Sequence, residues 1–411
     1  MLNYSKYNYH DYFIIFILVS TILGTAQIGL ISHTFVAGLL CLPAAIKEIY
    51  TSFTNKAQPI IFFMIIFVLY ALLSIIWAPK HEFLLREIWI FIWNVTLFVG
   101  LYHHSRYAND ANISFLRGLR LLISLTLIIA TWEITTNSHL PGVGDYNAEA
   151  QIASDSGLEM RIFAAVTYKN LNSYVTLLCM ALPFLIYGLF VLPKKWLSII
   201  AIMGSVIVLI INSSRGGLLC LAIDVIIFFL FYRKHQIANK KIITFFAILI
   251  IAFFIYRYGL MIAEQAIGRI SSYGTDDLLS DAGRWEVWKM GVEYCIDSNG
   301  FGHGIGSMQP MYKSSGFWLH HSHNLVIEFL LQYGLWLFIP FAILLFKNWL
   351  KYCKSNDPAK KMVGQMLLFS FIPLAIIDDS YFIHAFVWIW FVLQFVIVNH
   401  EKHNTTIIIE T

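Results

Sequence analysis

The sequence predicts an all-α fold: a polytopic transmembrane helical bundle of about 12 spans with a partly helical outer loop. Three observations carry this. Charged residues are 13% of the 411, where a soluble domain has about a quarter, and 58% are hydrophobic, with a mean hydropathy of +0.69. Apolar runs close to the length that crosses a bilayer's hydrocarbon core, about 20 residues as a helix, recur along the chain. Basic residues cluster in alternate connections between those runs.

The runs lie near 12–31, 34–48, 58–78, 83–103, 115–135, 171–193, 195–213, 216–232, 241–260, 324–346, 362–379 and 381–398. The second is short and contains Pro43. No cleavable signal is expected, because the first run has no small-residue cleavage site after it and reads as a retained helix. The 12 Trp and 21 Tyr suit many membrane–water interfaces. Five scattered cysteines with no CxxC pair read as small apolar side chains.

With the N-terminus inside, the inner connections hold Lys47 and Lys56; Arg106, Arg117 and Arg120; Lys194 and Lys195; Arg233, Lys234, Lys240 and Lys241; and Lys347, Lys351, Lys354, Lys360 and Lys361. Both termini then face the cytoplasm. The basic residues left over are Lys80, Arg86, Arg161, Lys169, Arg215, Arg257, Arg269, Arg284, Lys289 and Lys313. Each stands against the charge bias, so this set is the shortlist for function.

The chain reads as one integral membrane domain, 1–411, with two long outer connections, 136–170 and 261–322. The second is too rich in aromatic residues for a disordered loop, and Trp285, Trp288 and Val292 fall at helical spacing. An amphipathic helix on the membrane surface accounts for them.

Three motifs bear on chemistry. Asn212-Ser213-Ser214-Arg215-Gly216-Gly217 places a guanidinium at a tight outer turn, where its fork of donors matches phosphate oxygens. An arginine snorkelling to lipid headgroups is the plainer account. Gly300-Phe-Gly-His-Gly-Ile-Gly306 lacks the lysine and the βαβ setting of a nucleotide loop, so it reads as a tight turn with His303 structural. His320-His321-Ser322-His323-Asn324 opens the tenth run. It lacks the HExxH spacing of a zinc site, so no metal is expected, and a histidine there suits proton transfer. The first outer loop adds Arg161, Lys169 and Asn170, polar groups that suit sugar hydroxyls or simply solvent. Asp378 and Asp379 read equally as an acid pair or a polar cap. Asp224 and Glu328 lie within apolar runs, where a carboxylate is costly and faces inward.

His323-Asn324, nine residues, then Gly334 resembles the His-(Asn/Ser/Gln)-nine-Gly signature of the O-antigen ligases. Gly283-Arg284-Trp285 and Ser214-Arg215-Gly216 extend the likeness over roughly 205–345. The family pattern continues with Gly, Thr or Tyr where this chain has Leu337, a departure that keeps the sister O-antigen polymerases open. The resemblance implies a GT-C glycosyltransferase in the bacterial inner membrane. Its donor would be an undecaprenyl-diphosphate-linked glycan on the periplasmic side, and its acceptor lipid A–core or a second lipid-linked repeat unit. It further implies an inverting reaction with no metal, cofactor or nucleic acid. Arg215 and Arg284 would bind the diphosphate, His323 would serve the acceptor hydroxyl, and Asn324 would steady His323. Asn324, Arg161, Lys169 and Asn170 would bind substrate. A transporter is the alternative from another class. It fits less well, since no repeat is evident and the suggestive residues collect at one face.

Overall fold

A computed structural model describes residues 7–24, 27–28, 31–54, 58–82, 84–140, 162–168, 170–234, 276–316, 321–378 and 380–399. The described helices are α1 (Tyr9–Ser20), α2 (His33–Thr54), α3 (Pro59–Leu73), α4 (Leu84–Tyr107), α5 (Ala111–Thr136), α6 (Leu171–Val191), α7 (Lys195–Asn212) and α8 (Arg215–Lys234). They continue with α9 (Asp276–Asp297), α10 (Met308–Ser314), α11 (Leu325–Cys353), α12 (Pro358–Leu374) and α13 (Ala385–Asn399). The strands among the described residues are a two-residue antiparallel pair, Gln27–Ile28 with Ile31–Ser32.

The helices follow the apolar runs closely, and the fold is all-α as the composition predicts. Seven described helices, α2 to α7 and α11, are long and apolar enough to cross a membrane, α3 together with the 3-10 turn that continues it. The larger count of about 12 rests on runs that form shorter helices, carry more charge or lie outside the described residues, as 241–260 does. The first run ends its helix at Ser20, and a 3-10 turn and the strand pair complete it. Pro43 leaves α2 continuous over 22 residues. Tightly packed neighbours hold a membrane helix through such a position.

Packing is pairwise: α2 on α4, α1 on α5, α6 on α7, α8 on α12, α11 on α12, and α13 on α4. Small residues set the closest approach. A Cβ on Gly38 would lie 2.8 Å from Trp93, and one on Gly100 would lie 2.5 Å from Cys41. This is the usual way for membrane helices to gain contact where no water drives them together. Large apolar side chains such as Ile76, Leu85, Ile128 and Ile372 point outward on several helices, a surface suited to lipid.

At the end of the bundle opposite the site, two buried carboxylates pin connections in place. Asp11 accepts from the Asn109 and Asp110 N–H groups and from Ser114 Oγ. Glu48 accepts from Arg106 and lies 2.8 Å from His103 Nδ1. At the other end, Asn212 holds residues 162–168 down. Its amide donates to the Ala164 carbonyl at 2.9 Å and its oxygen accepts from the Ala164 N–H at 2.8 Å, while Glu133 accepts from the Ala165 and Val166 N–H groups. The end of the first outer loop is therefore buried structure and not a solvated tether: Phe163 to Val166 are fully buried.

Candidate functional site

The connection after α12, residues 375–384, is where the predicted site assembles. Tyr381 shapes it: its hydroxyl donates to the Leu374 carbonyl at 2.6 Å and accepts from the Ile377 and Asp378 N–H groups, both at 3.0 Å. Burial pushes the Tyr381 hydroxyl well up, so it keeps its proton for that donation. Glu328, in the first turn of α11, accepts from the Tyr381 N–H at 2.8 Å, the Phe382 N–H at 3.4 Å and Ser380 Oγ at 3.3 Å. This is the inward partner that the sequence demands for a carboxylate in an apolar run. Asp224, deep in α8, likewise accepts from Ser370 Oγ at 2.7 Å.

Three elements carry predicted residues to this connection. Arg215 is the first residue of α8, exposed, after Ser213 turns the chain with φ +49°. Gly216 lies so close under Ile377 and the Pro373 carbonyl that a Cβ would meet Ile377 at 2.8 Å. His323 and Asn324 precede α11, and the Leu325 N–H donates to the Ala375 carbonyl at 2.8 Å. Arg215 and His323 thus flank the last turn of α12. Arg284 reaches the same region from α9. The spacing 284, 288, 291 puts Arg284, Trp288 and Gly291 on one helix face. On that face Gly291 packs against Ile327, and Trp288 Nε1 donates to the Ser322 carbonyl at 2.7 Å.

The amphipathic helix predicted for the second outer loop is α9. Val287 on its inner face packs with Met308, Tyr312 and Leu331, while Trp285, Val292 and Ile296 remain exposed. Burial raises the Tyr312 hydroxyl's pKa, and it donates to the Val287 carbonyl at 3.1 Å. Because Trp288 fixes the backbone beside His323, Trp288→Phe should leave membrane abundance unchanged and lower turnover about tenfold, as small misplacements of a site do. A normal rate in membranes carrying equal protein would show that the contact is incidental.

Asn324 is the N-cap of α11: its side chain accepts from the Val326 N–H at 2.9 Å and the Ile327 N–H at 3.3 Å. That fixes the helix start and, through it, the His323 backbone, which sits at φ +47°. Asn170 is likewise an N-cap, of α6, accepting from the Ser173 N–H at 2.8 Å. Arg161 and Lys169 lie outside the described residues. Ser173, Asp378 and His384 look like a nucleophile triad in composition only. Both Ser173 Oγ and Asp378 approach the same ring nitrogen, His384 Nε2, at 3.4 and 3.6 Å. A triad needs the acid on the other nitrogen. Asp378 instead accepts from Ser173 Oγ at 2.9 Å, which ties α6 to the connection after α12.

The glycine-rich stretch has a role that spacing alone does not reveal. Gly334 interrupts α11 at φ +77°, ψ 174°. The broken turn exposes the carbonyls of Leu331 and Gln332, which accept from the N–H groups of His303 and Gly304 at 2.8 and 2.9 Å, and Leu335 N–H donates to the Gly300 carbonyl at 2.7 Å. His303 is structural, as expected: its Nε2 lies 2.9 Å from the Tyr294 carbonyl. Beside this junction opens a cleft lined by Glu87, His321, Glu328, Gln332, Tyr333 and Phe382 among others. His81, near its rim, is held below the usual histidine range by burial. Glu87, which lines this cleft, was not singled out in the sequence, whereas His321 belongs to the histidine run before α11. A carboxylate four residues after the start of the apolar run at 83–103 was the signal for Glu87.

The break at Gly334 and the cap at Asn324 are the two ends of the resemblance's signature, and the match to a known family covers both. Residues 200–342 match the family model described as O-antigen ligase. The match covers about a third of the chain and makes that stretch similar to the O-antigen ligases. The matched stretch of the ligase family runs from α7 into α11 and so contains Arg215, Arg284, His323 and Asn324. None of the curated proteins matches the chain. The likeness is to glycosyltransferase-like membrane enzymes of ligase or polymerase type, and the seven long apolar helices fit a multi-pass membrane protein.

Proposed function

We propose that the chain is an O-antigen ligase, transferring a glycan from undecaprenyl diphosphate to a sugar of lipid A–core on the periplasmic face of the bacterial inner membrane. The convergence of Arg215, Arg284 and His323 on one turn of the bundle, within the family-matched stretch, is the observation that supports it. The charge bias supports cytoplasmic termini and this end as the periplasmic one.

In this reading the acceptor oxygen attacks the anomeric carbon opposite the diphosphate, and the bond to the diphosphate oxygen breaks with inversion. Charge develops on the leaving diphosphate, and Arg215 and Arg284 offer fixed guanidinium donors to it. His323 takes or orients the proton of the acceptor hydroxyl. The donor brings its own diphosphate leaving group, so no nucleotide sugar enters the scheme, and the two guanidiniums take the role that a metal would otherwise fill. Arg215→Ala, Arg284→Ala and His323→Ala should each lower glycan transfer by about a hundredfold or more at equal membrane abundance. Full activity in all three would overturn the assignment.

Leu337, where the ligase pattern has Gly, Thr or Tyr, favours the second reading, a polymerase that joins lipid-linked repeat units. Lipopolysaccharide from a deletion strain separates the two. Core lipid with no O-chain marks a ligase, and core bearing one repeat unit marks a polymerase.

A further inference from the structure

The cleft beside the Gly334 junction holds polar side chains that the transfer chemistry above does not use. Glu87, in the first turn of α4, lines it and is half-buried, with no hydrogen bond and no ion pair among the described residues. The charge of Arg86, the preceding residue, acts on it only at a distance. Gly306 sets the place of this carboxylate. A Cβ on Gly306 would lie 3.1 Å from Glu87 Oε2, and the Gly306 N–H donates to Gln332 Oε1 at 2.7 Å. The carboxylate of Glu87 and the carboxamide of Gln332 therefore meet around one glycine.

Two buried groups supply a second, independent sign of a ligand. Gln332 is 4% exposed and Tyr333 is 2% exposed. The Gly306 N–H needs an acceptor, so the Gln332 atom facing it is the oxygen. The NH₂ end has no hydrogen-bond partner among the described residues, and neither does the Tyr333 hydroxyl, which belongs to the same cleft lining. Polar groups buried without partners are costly, and a ligand that supplies the partners offsets that cost. Phe91 and Phe382 add apolar walls, and a few convergent polar groups on such walls describe a small-molecule site. Glu328 in the same lining is already engaged by three donors. A second cleft at this end, which shares Ile383 with the first, differs in this respect. There the Tyr168 hydroxyl donates to the Thr21 carbonyl at 3.2 Å, His33 Nε2 lies 2.9 Å from Ser20 Oγ, and His384 lies 3.6 Å from Asp378.

We propose that the Glu87 cleft binds the hydroxyls of an uncharged sugar, the acceptor unit, with Glu87 accepting from one hydroxyl and Gln332 and Tyr333 donating to its neighbour. A sugar hydroxyl both gives and accepts, as this set of groups requires. A carboxylate or phosphate has no proton to give Glu87 and is repelled by it. An ammonium group has no lone pair for the Gln332 amide. The acceptor end is indicated by His321, which lines the cleft two residues before His323, the residue proposed for the acceptor hydroxyl. The proposal rests on the reading of the chain as a glycan transferase and adds to it the charge class of the acceptor sugar.

The test is equilibrium binding to the full chain in nanodiscs of neutral lipid. Methyl glucoside and methyl galactoside, each paired with its uronide, are the probes. The better neutral glycoside should bind about tenfold or more tighter than its own uronide. Glu87→Gln keeps the volume, removes the charge and should erase that discrimination. Tyr333→Phe should weaken the neutral glycoside about fivefold and keep the discrimination. Its melting temperature should not fall, because the lost hydroxyl has no partner within the described protein. No binding of either neutral glycoside, equal binding of glycoside and uronide, intact discrimination in Glu87→Gln or full affinity in Tyr333→Phe would each overturn the subsite. Transfer kinetics separate the two sources of a sugar. Tyr333→Phe should raise the acceptor KM about fivefold and leave the donor KM unchanged; the reverse would place the donor's sugar in the cleft and overturn the acceptor assignment. Binding needs no turnover. A chain that shows the Glu87-dependent discrimination but transfers no glycan would refute the transferase reading alone.

Discussion

Gly334→Ala should unfold the site end of the molecule, lowering the melting temperature in detergent and the amount of protein recovered from membranes far more than an ordinary Gly→Ala change. Two costs coincide. At φ +77°, ψ 174° the residue occupies a region open essentially to glycine alone, a penalty of about 1–3 kcal/mol for any side chain. A Cβ there would also collide with the Gly300 carbonyl and the Phe301 backbone, which lie directly against it. Relief of that collision would separate the 300–306 loop from α11 and strand the carbonyls of Leu331 and Gln332. The total is about 3 kcal/mol or more. Gly316 provides an internal control. Its φ is +78°, but a Cβ there would meet nothing within 4 Å, so Gly316→Ala carries backbone strain alone, about 1 kcal/mol. Equal shifts for the two variants would show that the loop–helix junction contributes nothing beyond local strain.

Helix positions were legible because lipid imposes one simple rule, a long apolar run. The run at 171–193 became Leu171–Val191 and that at 195–213 became Lys195–Asn212. The rule falters where a helix is short, as for α1 and α13, or carries lysines at its start, as α12 does, which is why length and apolarity support seven spans. As candidates, Arg215, Arg284 and His323 were reachable from sequence because a charge at the wrong face and a ring at a helix mouth both stand out. Their convergence was not. It runs through Trp288 to a carbonyl, Gly216 beneath Ile377, and Leu325 to Ala375, contacts between backbone and small residues that leave no trace in composition. Asn324 shows the limit most clearly. Its place beside His323 suggested an imidazole partner, whereas its side chain serves the helix start. The alternating glycines from 300 to 306 read as a turn, yet only the broken helix opposite explains why Gly302 has room for no side chain: a Cβ would lie 2.5 Å from Gly334 N.

Glu328→Ala should be the most damaging change to activity outside Arg215, Arg284 and His323. The carboxylate is 1% exposed and accepts from Ser380, Tyr381 and Phe382, so it joins the first turn of α11 to the middle of the 380–384 connection by side-chain hydrogen bonds. Alanine would strand two backbone N–H groups and a hydroxyl in a buried setting. Removing a buried charged acceptor of this kind costs about 3–5 kcal/mol. The consequence for function is larger than the loss of stability. The same connection lines both clefts through Ile383 and carries His384, while the start of α11 carries His323. Loosening it by about 1 Å would separate groups that must act together, which corresponds to roughly a hundredfold in rate. Glu328→Gln keeps one acceptor oxygen and the volume but turns an NH₂ towards donors, so it should fall between the wild type and alanine in both thermal stability and glycan transfer. The decisive measurement is transfer per folded molecule, by in vitro assay of protein selected for a native elution profile. If the folded fraction of Glu328→Ala transfers at the wild-type rate, the connection is a structural tie only, and the clefts on either side of it keep their geometry without it.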